Sequence, residues 1–200
     1  MFRKLLLTTS AAVLMLVLHT AAQADPFTLA AGQTVTYNFT SSQFAQSTAT
    51  VTFSLNATGT VLTVTALNTS TNGTFLSGVG FNTTPDVTLQ SAAATNNWTA
   101  QAGPGGGLGN FELLAFGNGN RNRLSGGQSV TATFTFSSSI TSLTLDQVIV
   151  HLTSLPNGDS VKLDGTPQPV PEPATMLLLG TGLAGVAAGA RRRRKSAQNN

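Results

Sequence analysis

Three stretches between Gln33 and Leu67 put an apolar side chain at every second position and a small polar one between. In the first, Val35, Tyr37 and Phe39 alternate with Thr34, Thr36 and Asn38. In the second, Ala49, Val51, Phe53 and Leu55 alternate with Thr50, Thr52 and Ser54, and in the third Leu62, Val64 and Ala66 alternate with threonines. Successive side chains of a strand point to opposite faces, so a period of two gives one apolar and one wet face; a helix would scatter the same residues around its axis. Asn56-Ala-Thr-Gly59 has the chemistry of a tight turn and makes the last two stretches neighbours in an antiparallel meander. Further strands are expected at 75–81, 86–90, 97–101, 111–116, 129–137, 148–153 and 160–164. Val130, Ala132, Phe134 and Phe136 give another clean apolar face, and Val148-Ile-Val150 is apolar on both faces, as in a strand covered from two sides. Gly103-Pro-Gly-Gly-Gly107 and Gly117-Asn-Gly-Asn120 read as loops. No helical period interrupts residues 25–169. The expected fold of residues 25–164 is all-β, a jelly-roll-like antiparallel sandwich of roughly eight to ten strands.

Both ends of the chain have a different character. Residues 1–24 carry Arg3 and Lys4, an apolar stretch from Leu5 to Leu18, and then Ala22-Gln23-Ala24. Small residues at Ala22 and Ala24 suit signal peptidase, so a cleavable signal helix removed before Asp25 is expected, with the export machinery as partner. The calculated pI near 10.0 belongs to the termini. Of 10 Lys and Arg, only Arg121, Arg123 and Lys162 lie within 25–169, where six carboxylates bring the net charge to −3. A mildly acidic domain gives no reason to expect a nucleic-acid partner. With no cysteine in the chain, disulfides and thiolate ligands are excluded, so burial must hold the domain.

After Asp164, prolines at 167, 169, 171 and 173 replace the alternation, and residues 165–173 read as an extended linker without the donors that a sheet requires. Residues 174–190 carry no charge and run directly into Arg191, Arg192, Arg193, Arg194 and Lys195. Seventeen helical residues span roughly 25 Å, the short end of a bilayer core. A transmembrane helix is expected there, with residues 191–200 a basic cytoplasmic tail, because basic flanks stay inside. Gly180-Thr-Gly182-Leu-Ala-Gly185 fits a dinucleotide fingerprint by letter, but no βαβ unit surrounds it and only 15 residues follow.

Val170-Pro171-Glu172-Pro173, the apolar span and the Arg191–Lys195 cluster, in that order, resemble the PEP-CTERM sorting domain, a tail also labelled an ice-binding protein C-terminal motif. The resemblance implies that an integral-membrane cysteine protease, exosortase, recognises Pro171, Glu172 and Pro173, and that the chain is its substrate. Ala174-Thr175 stands where many members have Ser or Thr directly after the second proline. Extended proline geometry presents such a segment without a helix to unwind.

Few residues of the middle domain suggest chemistry. His151 is the only histidine beyond the signal region; a triad would need it beside Asp146 or Asp159 and a serine, and no nucleophile elbow is present. A single histidine does not make a transition-metal site, and the Asn157–Asp164 segment lacks full calcium-loop spacing, so no metal or cofactor is expected. Trp98, beside Asn96 and Asn97, is a candidate glycan contact, weighed against a core indole. The threonine rows 48/50/52 and 131/133/135 suit the wet side of strands. The expectation is an exported, non-enzymatic surface or extracellular-matrix protein, held in the inner membrane until processed and linked to exopolysaccharide or biofilm. A carbohydrate-binding or adhesive module is the alternative, and a secreted hydrolase is a more distant third.

Overall fold

Alternation becomes a two-sheet sandwich because each apolar face needs a partner. The computed structural model describes residues 26–169, and its strands are β1 (Phe27–Ala30), β2 (Thr34–Thr40), β3 (Thr48–Leu55), β4 (Val61–Asn68), β5 (Phe75–Thr84), β6 (Leu89–Ala94), β7 (Trp98–Ala102), β8 (Leu113–Gly117), β9 (Ser129–Phe136), β10 (Ser142–Thr153), β11 (Ser160–Asp164) and β12 (Thr166–Pro169). One sheet has the order β12-β2-β3-β4-β9-β6; the other has β1-β10-β5-β8-β7, with β11 also on β10. Every pairing is antiparallel. The signal segment, Val170–Pro173, the apolar span and the Arg191–Lys195 cluster lie outside the described residues.

β2, β3, β4 and β9 bury every second residue and leave the intervening positions half-buried or exposed. Their wet face is laced by hydroxyl pairs across neighbouring strands, Thr36 with Thr52 at 2.9 Å and Thr65 with Thr131 at 3.3 Å, a cross-strand contact suited to a pleated surface. Between the sheets, Tyr37, Phe53, Phe81 and Phe134 form a chain of edge-to-face contacts with centroids 5.1–5.5 Å apart. Phe81 comes from β5, and the other three come from the facing sheet.

A second, smaller cluster of Leu108, Phe111, Leu114, Phe116 and Ile149 covers the outer side of the β5 sheet. It exists because β5 carries Gly78 and Gly80 there: a Cβ at Gly78 would lie 2.9 Å from Leu108 Cδ1, and one at Gly80 2.9 Å from the Phe111 ring. Glycine inside a strand here marks close approach by a covering loop.

The described residues form twelve strands where roughly eight to ten were expected, and the departures that matter most are these. β1 was not foreseen. β10 begins at Ser142 rather than Val148, because a register shift between Leu145 and Gln147 leaves Asp146 and Gln147 both exposed and breaks the period. β6 runs over Leu89–Ala94 rather than 86–90; its alanines are poor strand formers that gain their place by pairing with β9. The expected linker starts late, since Thr166–Pro169 pairs with β2. This strand is at the sheet edge, where every second N–H faces away from the neighbour and proline is tolerated. The spacing of two between Pro167 and Pro169 puts both missing donors on one side of the strand.

Between β11 and β12 the chain changes sheets across one buried residue, Gly165. Its N–H donates to Val148 O at 3.0 Å. A Cβ there would lie 2.5 Å from Phe39 Cζ and 3.0 Å from Tyr37 Cδ1, so any larger residue drives the two rings apart.

Two outcomes follow from this packing. Phe81→Ala removes the ring on which the inter-sheet contacts converge and should lower stability by about 3–5 kcal/mol, read as a shift of the urea midpoint. Tyr37 Oη is buried without a hydrogen-bond partner, and burial, followed by the nearby Asp146 charge, pushes its pKa up to about 12. The unfolded chain ionises this phenol near the ordinary value of 10.0, so stability is full below that pH and falls as pH rises towards 12. The loss should be on the order of 2 kcal/mol, and Tyr37→Phe should abolish it.

Candidate functional site

Two places carry chemistry: the junction leading into the C-terminal tail and a cleft around His151. At the junction, the last described residue, Pro169, is in β12 and is paired with Val35 of β2. Val170 alone separates that paired residue from Pro171-Glu172-Pro173. Residues 166–169, expected as part of the linker, are thus paired in a sheet.

The cleft forms where β5 and β10 lose register. Gly78 faces His151 and Leu76 faces Leu152, so Ser77 is the extra residue of a bulge. Bulges re-aim side chains, and this one turns Ser77 towards the imidazole. Ser77 Oγ lies 3.1 Å from His151 Nδ1 and donates to the His151 carbonyl at 3.0 Å. One hydroxyl has one proton; with that proton on the carbonyl, the Nδ1 contact is satisfied by an imidazole that carries its hydrogen on Nδ1 and donates to Oγ. Nε2 is then the unprotonated nitrogen of the neutral ring.

This cleft of about 360 Å³ is lined by Ser77, Phe116, Asn118, Arg123, His151 and Thr153, among others. Gly106, Gly117 and Gly119 complete its wall. Gly106 has φ +58°, and a Cβ on it would lie 2.5 Å from Phe116 Cγ, so the loop can lie on the ring only as glycine. Gly119, at φ 73° and ψ −175°, occupies backbone space open essentially to glycine alone. Arg123 follows the 3-10 turn Asn120–Asn122, and Lys162 faces His151 across β10 and β11 while donating to Leu108 O at 2.7 Å. Burial, then Lys162, then Arg123 hold the imidazole below its ordinary pKa of 6.5.

The other sequence candidates fall elsewhere. Neither Asp146 nor Asp159 lines the cleft. Asp146 accepts from Thr84 Oγ1, and Asp159 is tied into the Asn157–Asp159 turn, accepting from Asn157 Nδ2 at 2.6 Å while its N–H donates to Asn157 Oδ1 at 3.1 Å. Glu112 accepts from Thr83 N, Thr83 Oγ1 and Val87 N at 2.7–3.0 Å, so this carboxylate organises a loop. Trp98, the candidate glycan contact, is 5% exposed and belongs to the main core, and its indole N–H is donated to Asn122 O. A sugar has no open ring face to stack on there. Among the described residues no group of three or more His, Cys, Asp or Glu is placed to hold a metal. The partner that sequence reasoning missed is Ser77, one of many serines; only the bulge singles it out.

The lowered pKa sets a direction for acid behaviour. Below pH 6.5 the unfolded chain takes up the proton before the folded one, so this residue's contribution to stability is full above that pH and lost as pH falls towards the folded pKa. NMR titration of the processed protein should give a His151 midpoint below 6.5, and Lys162→Gln should raise it.

Comparison with known proteins bears on the tail. No curated protein and no solved structure matches the chain. The family model for the PEP-CTERM protein-sorting motif matches residues 169–194, so the match begins on the last residue of β12 and extends through the apolar span into the arginine cluster. The chain thus carries, fused to the edge strand of a β-sandwich, the PEP-CTERM motif of proteins sorted by an exosortase-type system.

Proposed function

We propose that this is an exported, non-enzymatic surface or extracellular-matrix protein, delivered by exosortase-type sorting and linked to exopolysaccharide or biofilm. The observation that carries the reading is the PEP-CTERM match at residues 169–194 beginning where the folded domain ends. The signal segment engages signal peptidase and the export machinery. The apolar span then holds the precursor in the inner membrane, with Arg191–Lys195 inside. Pro171, Glu172 and Pro173 are presented outside to the processing protease.

The non-enzymatic part of the reading is supported by the polarity of the Ser77–His151 pair. An activated serine gives its proton to the imidazole, which a carboxylate then steadies as a cation. Here the serine proton is directed to a backbone carbonyl, and the charges acting on the ring are cations that disfavour its protonation. A carbohydrate-binding module is the second reading. The glycine-walled cleft favours it, whereas the buried Trp98 does not.

Processing separates the sorting reading from an ordinary anchor. In cells containing an exosortase, intact mass measurement should find the mature protein without its tail. Pro171→Ala with Glu172→Ala leaves the apolar span untouched, so uncleaved precursor should accumulate in the membrane. A mature protein that still extends to Asn200 would refute sorting by cleavage.

A further inference from the structure

Both sheets end on open strands, and the ends are not alike. β12, at one end of its sheet, carries Pro167 and Pro169. In the other sheet, the free side of β10 is shared by the four-residue β1 and by β11, which carries Lys162 and Asp164. Short strands, prolines and charges are the usual means of keeping a sheet edge from pairing with another chain. β6, at the opposite end from β12, has neither charge nor proline in Leu89-Gln-Ser-Ala-Ala-Ala94. β7 follows it after residues 95–97, ends the other sheet, and lacks both as well. No Asp, Glu, Lys or Arg occurs between Asp86 and Glu112.

The hydrogen bonds of β9 show which backbone groups of β6 are open. Thr95 N donates to Thr131 O, whereas Phe136 N donates to Thr60 O on the other side. Backbone groups alternate in direction along an antiparallel strand, so the odd-numbered residues of β9 face β6. Ser91 and Ala93 stand opposite Thr135 and Thr133; these two and Thr95 direct their backbone to β9. Ala92 and Ala94 direct theirs away from the sheet. Regular pairing is bounded on both sides, by the register shift at Gln90 and by Asn96 and Asn97, with φ of 56° and 58°. The regular segment is therefore 91–95. Its central residue, Ala93, is exposed.

We propose that β6 pairs antiparallel with β6 of a second copy of this chain, about a two-fold axis through Ala93. Ala92 of each copy then faces Ala94 of the other, and every outward N–H and C=O of these residues is matched. A segment laid against its own copy sets like charge beside like charge, so an edge that pairs with itself has to be uncharged, as this one is. Alanine side chains let the two backbones approach without obstruction. The contact is isologous: it uses up the edge and closes at two copies. The described chain begins at β1 and ends at β12, the ends of the two sheets away from β7 and β6. Contact along one short strand falls below about 1,200 Å² in total, the class of weak and transient interfaces. The dimer should dissociate on the order of micromolar concentration.

Sedimentation velocity of the mature protein from about 1 to 500 µM brackets such an affinity. The wild type should pass from monomer to dimer over that range. Ala93→Lys and Ala93→Glu each add one charge at an exposed position of the monomer. In the dimer each sets two like charges opposite one another, with Cβ atoms about 4.5–5.5 Å apart. Either variant alone should remain monomeric, and an equimolar mixture of the two should restore the dimer, less so as salt is raised. Ala92→Pro removes only an outward N–H, so it should also be monomeric while keeping a native circular dichroism spectrum. A wild type that stays monomeric throughout would overturn the pairing, including the case in which β6 serves a strand of some other protein. Association that Ala93→Lys leaves unchanged would overturn it too, since contact through the apolar span of unprocessed protein is indifferent to residue 93. So would a Lys and Glu mixture that associates no better than either variant alone.

Discussion

The domain depends on a ring that one sheet pushes into the other. Phe81 stands 5.1 Å from Phe53 and 5.5 Å from Phe134, edge to face with both, and Phe53 meets Tyr37 in the same way. Each such pair contributes about 0.5–1.5 kcal/mol beyond simple burial. Their larger effect is geometric: edge-to-face rings fix how far apart and at what lateral offset the two sheets sit. Without disulfides, that registration falls to side-chain packing and to a few buried polar ties. Asn68 is one such tie, donating to Thr74 O and Leu124 O at 2.8 and 2.7 Å. Leu124 is in turn bridged to Leu76 of β5, so an amide at the end of a strand in one sheet holds a segment attached to the other.

What the sequence made legible follows from how local each signal was. β2, β3, β4 and β9 could be read almost residue by residue, because one face is buried and the other wet along their whole length. β10 could not, since its bulge sets Asp146 and Gln147 side by side on the exposed surface. β12 was hidden by its prolines, which argue against a strand until the sheet's edge is known, and edges are a property of topology. The glycines of β5 also pointed two ways. Gly78 and Gly80 look like weak points, yet they leave room for the Leu108–Phe116 cluster.

The site was less legible than the fold for a related reason. Sequence singled out His151 by its rarity and Trp98 by its size. Rarity located the cleft, whereas size located the core. Nothing near Ser77 distinguishes it from the other serines, because its contact with the imidazole is made by a register shift between strands whose centres lie some seventy residues apart. The tail was the opposite case. Its order of Pro-Glu-Pro, apolar span and basic cluster is carried wholly in local sequence, and the family-model match to residues 169–194 needed no folded context.

Gly165 joins these two halves of the molecule. Through it the chain leaves β11 on one sheet and enters β12 on the other, and the sorting motif starts where β12 stops. Any tension on the C-terminal tail therefore reaches the domain first at a four-residue edge strand whose partner, β2, is itself held by seven registered pairs to β3. Its four registered pairs to β2 are fewer than the seven that hold β2 to β3, so a pull from the C-terminal side meets the shortest of these ladders before it meets the aromatic core.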